Sequence, residues 1–220
     1  MSNTVQSLFL NYGKFPPEEE IERVIEFLPL TIVSTKINPE TGEENLSLAN
    51  SQIISQLPED AAYVESPMIQ QKLRILRDNG LDNVAIVRES IQPLMITFRL
   101  LFASEEEIRH DGNVEKILKG ETVSESNDIR AINAIQNTIL AILSTYRSTL
   151  QEDEAKLRLL QRSETRNARQ EIALRLVILE KTIYEKSLKM LHTLGKKYGV
   201  KTFVSLQHFF QYLEENDIVF

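Results

Sequence analysis

Apolar residues recur every three or four positions through the second half of this chain. From Asp128 the series Ile132, Ile135, Ile139, Ile142, Tyr146, Leu150 predicts one long amphipathic helix, A. The series Ile172, Leu176, Leu179, Ile183, Leu191, Leu194 predicts a second, B, across a short polar break. Ser163 suits the start of B and Gly199 its end. Glu152–Lys156, Glu154–Arg158, Glu171–Arg175 and Glu185–Lys189 place an acid four residues before a base, worth a few tenths of a kcal/mol each on an exposed face. A and B therefore fold as an antiparallel hairpin. Leu140, Leu143, Leu174 and Ile178 widen the apolar faces beyond a coiled-coil seam, so a third layer must cover them. Residues 68–120 and Thr202–Phe210 are the available cover.

The first half alternates short elements. Val5–Leu10 reads as a strand running into the turn Asn11-Tyr12-Gly13. Pro16-Pro17 and the following glutamates open a helix, Glu18–Phe27, with Ile21, Val24, Ile25 and Leu28 on one face and Pro29 ending it. Leu30–Lys36 reads as a strand, Asn38–Gly42 as a turn and Glu44–Leu48 as the returning hairpin partner. Met68–Asn79 is a helix with Ile69, Leu73, Ile75 and Leu76 inward, capped by Gly80. Val84–Val87 is a short strand, and Ile91–Phe102 a helix too apolar for the surface. Ser104–Glu107 is a capping box, a short helix lies within Asp111–Gly120, and Glu121–Asn127 is a polar linker. The fold class is mainly α, built on the long antiparallel hairpin, with a small β region near the N-terminus.

Charge sharpens this picture. The 220 residues carry a net charge of −7, and residues 1–110 hold 9 Lys+Arg against 17 Asp+Glu. Such a front repels phosphates, which excludes nucleic acid as a natural partner. It either solvates the chain or attracts a partner with a basic surface or tail. Glu18, Glu19, Glu20 and Glu22 form the densest acidic run and are the partner-binding candidates. Cysteine is absent, no secretory leader is visible, and no apolar run reaches the roughly 18 residues that span a bilayer. The expected place is the cytoplasm or nucleus, without membrane partners.

Local catalytic signatures are missing. No glycine loop cradles phosphate and no nucleophile elbow occurs. His110, His192 and His208 stand apart from other ligand-type residues, so packing or capping roles are expected and no metal. Glu152 and Asp153 are expected to point to different sides of helix A into solvent rather than form an acid/base couple.

The stretch YRSTLQEDEAKLRLLQRSETRNARQEIALRLVILEKTIYEKSLKML, Tyr146–Leu191, resembles the C-terminal substrate-binding domain of Rubisco lysine methyltransferase-type SET proteins. Residues 92–108 (QPLMITFRLLFASEEEI) and the helix-then-glycine segment Met68–Gly80 are similar to the same lobe, in the same order. The segment Leu8–Gly13 (LFLNYG) resembles the closing strand of a SET domain. The resemblance implies that residues 1–30 are a remnant of the SET C-terminal end and residues 31–220 the substrate-binding lobe. Tyr12 would be the catalytic tyrosine, active only if a SET half is supplied. The S-adenosylmethionine used by the full-length family would have no site here, since the family's Asn-His-Ser segment is absent. Where the family follows Ala-Leu-Arg-Leu with an arginine, an acid and a glycine, Val177-Ile178-Leu179 stand instead, predicting a more buried turn. The expected function is recognition of a protein substrate for lysine or histidine N-methylation. The alternatives are a stand-alone helical adaptor and, against the missing donor site, a self-sufficient methyltransferase.

Overall fold

A computed structural model describes residues 27–57, 66–162 and 168–218. The expected strand Val5–Leu10, residues 18–26 of the expected helix, the candidates Tyr12, Glu18, Glu19, Glu20 and Glu22, and the cap Ser163 lie outside them. Among the described residues are strands β1 (Phe27–Thr31), β2 (Val33–Ile37), β3 (Glu44–Leu48) and β4 (Asn83–Val87). The helices are α1 (Ser51–Ile54), α2 (Pro67–Asp78), α3 (Gln92–Phe102), α4 (Glu105–Arg109), α5 (Asn113–Leu118), α6 (Glu125–Ser144), α7 (Leu150–Arg162), α8 (Ala168–Lys197) and α9 (Leu206–Glu215).

The β region is two antiparallel pairs joined by one residue. β2 pairs with β3 in the expected hairpin, Val33 opposite Leu48. β1 pairs with β4, Leu28 opposite Ile86 and Leu30 opposite Val84. Ile32 links the pairs and is fully buried; its amide and that of Val33 donate to the Asp82 carbonyl at 2.8 and 3.1 Å. The helix expected to reach Phe27 does not: Phe27 to Thr31, Pro29 included, is extended. Leu28 and Leu30 point into the core while their neighbours face out, and the period of two overrides the helical reading. Proline is tolerated because β1 has one neighbour among the described residues. β1 also runs across residue 30, with Leu28, Leu30 and Ile32 in one core.

Helix α2 obeys its sequence signals. Ser66 accepts from the Ile69 amide at 3.2 Å, and Pro67 occupies the first turn. At the other end Gly80 has φ +69°, and the amides of Gly80 and Leu81 donate back to Arg77 and Leu76. α3 is buried on every side by α2, α5, α6 and β4, as its composition demanded. Its last carbonyls meet two cations. Lys72 Nζ donates to Leu101 O and Ala103 O at 2.9 and 2.6 Å, and Arg130 Nε to Phe102 O at 2.9 Å. The expected capping box closes: Ser104 and Glu107 each accept from the other's amide. Burial pushes the Glu107 carboxyl up, but Ser124, the Ser104 amide and Arg130 outweigh it and hold it below the usual range.

Helix A is two helices. α6 starts earlier than expected, capped by Ser124, and stops at Ser144. Ser144 and Thr145 hydroxyls turn back onto Ala141 O and Ile142 O, closing the last turn locally. α7 restarts on a reciprocal box, Thr149 Oγ1 accepting from Glu152 N at 3.2 Å and Glu152 from Thr149 N at 2.7 Å. Glu152 thus serves as a cap, while Glu171 and Arg175 do form the expected pair at 3.0 Å. α8, about 45 Å long, packs against both α6 and α7 and reaches β1 and β4. The expected linker Glu121–Asn127 is fixed rather than loose: Asn127 is fully buried in the first turn of α6. Inside α8, Gly195 leaves room for Thr202, whose Cγ2 would lie 2.8 Å from an added Cβ. The segment after α8 docks on α6 through Gln136, which accepts from Phe203 N at 2.7 Å.

Leu176 is buried on the inner face of α8. Leu176→Asp should lower unfolding free energy by more than about 3 kcal/mol in urea titration, because it strands a charge there; parent-like unfolding would mean that α8 does not pack on this face. Burial, with help from the Arg130 charge and against that of Glu107, lowers the Lys72 ammonium from 10.5 to about 8. The unfolded chain therefore holds this proton over a pH range where the folded chain has released it, and stability gains as pH rises from about 8 to 10.5. Relative to Lys72→Met, the parent should gain about 2 kcal/mol between pH 7 and pH 10, measured by denaturant unfolding at both values. An unchanged difference would place the amine in water.

Candidate functional site

The α6–α7 break creates a polar junction closed by α8. Asp153, expected in solvent, is 2 % exposed, and so is its partner Lys181 on α8. Lys181 Nζ donates to Asp153 Oδ2 and Ser148 O, both at 2.5 Å, and Ser148 Oγ donates to Asp153 Oδ1 at 2.7 Å. The first turn of α7 faces α8 at this point, so the carboxylate that helical periodicity left outside is turned inward. Tyr146 covers the pair: its hydroxyl donates to Glu180 Oε2 at 2.9 Å and its ring lies 4.8 Å from Lys181 Nζ. Burial and the Glu180 carboxylate push the Tyr146 phenol well above its ordinary range, and push Tyr184 up to about 12. Neither phenol can act as a base near neutrality. The junction is a lock in which Lys181 Nζ donates to Ser148 O, Ser148 Oγ and Asp153 Oδ2.

Beyond the lock, the hairpin opens into a groove of about 620 Å³ between α7 and α8. Leu159, Leu160, Ala173, Leu174 and Val177 line it, with Lys156 and Gln170 at its edge. Leu159 is 67 % exposed. Cover for the widened faces is therefore uneven. Leu140 and Leu143 are buried, whereas Leu174 and Ile178 are half-buried. Val177, Ile178 and Leu179, expected to be more buried than the residues they replace, are half-buried too, and Val177 faces the groove. A second cavity, about 770 Å³, lies between β3 and α2 and is polar, lined by Glu43, Glu44, Gln70 and Arg74 among others.

Each histidine makes a local contact. His192 Nδ1 lies 2.9 Å from Thr202 Oγ1, tying α8 to the following segment. His208 packs edge-on to Phe203 at 5.6 Å, and His110 caps the end of α4. No group of His, Cys, Asp or Glu among the described residues could hold a metal ion. No described helix is long and apolar enough to cross a membrane. The open groove was missed in the sequence; Leu159 beside Leu160, outside the period of helix A, was the available signal.

Residues 64–183, from just before α2 to the middle of α8 and more than half of the chain, match the family described as Rubisco LSMT substrate-binding. No curated protein matches.

The lock makes a quantitative demand. Lys181→Met should destabilise by about 3 kcal/mol or more, because Asp153 is left charged and buried. Adding Asp153→Leu should recover much of that loss in the same urea titration. Additive losses in the double variant would show that the two charges do not hold each other.

Proposed function

The chain belongs to the Rubisco LSMT substrate-binding family, and from that premise we propose that it is the protein-substrate recognition lobe of a SET-domain protein N-methyltransferase acting on lysine or histidine. The observation that carries this reading is the match over α2 to α8, the rigid helical scaffold itself. In such a division of labour the lobe binds and orients a protein, and a SET half transfers the methyl group. Residues 1–30 are the remnant of that half, and Tyr12 is the catalytic tyrosine once the half is complete. Residues 31–220 are the lobe.

The chemistry of the α7–α8 groove makes it a poor seat for the methyl donor. S-adenosylmethionine is a cationic sulfonium with a polar nucleoside. The α7–α8 groove offers it apolar walls and the like charge of Lys156. No catalytic step is assigned to the described residues. The protein partner presents a basic surface or tail to Glu18, Glu19, Glu20 and Glu22, and the association weakens with salt.

Calorimetry of the chain with S-adenosylmethionine should show no heat, and the chain alone should methylate no protein. Adding a SET half in trans should produce transfer to a protein substrate, most of it lost with Tyr12→Phe. Turnover by the purified chain alone would overturn the assignment. Failure of every SET half, with partner binding intact, would favour the adaptor reading instead.

A further inference from the structure

The polar cavity of about 770 Å³ follows an edge of the β region. On the β3 side it is lined by consecutive residues, Glu43 to Ser47, rather than by alternate ones. A strand sends alternate side chains to opposite faces, so an unbroken run places the cavity along the backbone edge. α2 supplies the other wall through Gln70 and Arg74, about one helical turn apart. Hydrogen-bond parity shows what that edge offers. Asn38 N donates to Glu43 O at one end of the β2–β3 pair and Ala49 N to Ile32 O at the other, at 2.8 and 2.9 Å. Counted from these, Ser34 with Ser47 and Lys36 with Asn45 are the hydrogen-bonded pairs. Glu44, Leu46 and Leu48 alternate with them and turn their amides and carbonyls away from β2. Leu46 O shows the direction, because it accepts from Gln70 Nε2 on the α2 wall at 3.0 Å. The Glu44 and Leu46 amides meet no acceptor among the described residues.

Backbone chemistry selects the occupant. A helix keeps its N–H and C=O groups for itself and has none to give to an edge. An extended chain has both free, and it lies down beside an edge strand at about 4.8 Å. A second copy of this chain would bring its own β3 with α2 alongside it, and the two α2 helices would collide before the strands met. A single extended segment has no such wall. Glu43 and Arg74 put both signs of charge in the lining, so main-chain bonds rather than net charge carry the contact. We propose that β3 is a docking edge, at which an extended segment of the protein substrate adds as a further strand and pairs through its main chain with Glu44 and Leu46. An amide of that segment would take the place of Gln70 on Leu46 O. That the segment belongs to the substrate rests on the reading of this chain as a recognition lobe. This edge is separate from the acidic run Glu18–Glu22, and it differs in kind, since binding here is expected to be insensitive to salt.

The test titrates the whole chain into a fluorescein-labelled peptide of about seven residues, alternating threonine and valine, and into its counterpart with every amide N-methylated. The two carry the same side chains, but the second has no main-chain donors. Anisotropy should report saturable binding of the first, at least about tenfold tighter than the second, and changed by less than about twofold between low and high salt. Glu44→Pro removes one edge donor at the first residue of β3, where proline is tolerated and no bond to β2 is lost. Glu44→Gln keeps that donor and removes only the charge. The proline variant should bind the first peptide about fivefold or more weaker and the glutamine variant like the parent, both with parent-like circular dichroism. No saturable binding of the first peptide, equal affinity for both peptides, or equal losses in the two variants overturns the proposal. So does concentration-dependent dimerisation abolished by Glu44→Pro, which would make a second copy the occupant. Peptide binding as expected but no methyl transfer with any SET half would sink the methyltransferase reading alone. Transfer without peptide binding would sink the docking edge alone.

Discussion

A guanidinium buried in the middle of an apolar helix sets the terms for the rest of the fold. Arg99 lies on α3 among Leu94, Met95, Phe98, Leu100, Leu101 and Phe102, and no part of that helix faces water broadly enough to solvate it. An unpaired charge there would cost several kcal/mol. Asp128, 0 % exposed, answers with a two-pronged contact to Nε and Nη2 at 2.6 and 3.1 Å. Gly120 O accepts from Nη1 at 2.7 Å, Thr122 Oγ1 and Tyr198 OH donate to Asp128 at 2.9 and 2.6 Å, and Asn127 Nδ2 donates to Arg99 O at 3.0 Å. These groups come from the α5–α6 connection, the first turn of α6 and the residue that follows α8. Satisfying one charge therefore fixes where α6 begins, pins the connection before it, and brings the end of α8 back to α3.

The Asp153–Lys181 pair repeats the device at the α6–α7 break, with a different consequence. Breaking helix A would let α7 swing on five residues. A buried ion pair whose remaining donors go to Ser148 allows one angle, since any other would strand a charge. Buried pairs add little stability over apolar packing but specify a geometry when each proton has one acceptor. The result is a hairpin held to the core at one end and open along its apolar seam at the other.

What the sequence disclosed and what it withheld divide along range. Signals within four or five residues were legible: the Ser104–Glu107 box, Gly80, the β2–β3 hairpin and the inward faces of α2, α6 and α8. The Thr149–Glu152 box was equally local, but the continuing apolar period masked it and joined α6 to α7. Phe27 and Leu28 were read as the end of a helix because Pro29 looked like a stop, with the strand starting only at Leu30; their strand character depends on β4, more than fifty residues away. Asp153 and Asp128 could not be read as buried from helical position, since their partners Lys181 and Arg99 are 28 and 29 residues distant. The candidates Tyr12 and Glu18–Glu22 lie outside the described residues, so the acidic front rests on composition.

That geometry suits a lobe whose task is positioning. A docking surface helps a reaction elsewhere only if it holds its ligand at a constant distance and angle from the reacting centre; a loose tether dilutes the effective concentration it creates. The Asp153–Lys181 lock removes the freedom at the hinge, and α8 carries the groove on one uninterrupted helix that also packs on β1 and β4. The hairpin is thereby joined to the β region by one continuous helix. An apolar seam exposed on a scaffold that otherwise buries ions in order to stay rigid is the arrangement expected of a surface kept for another protein.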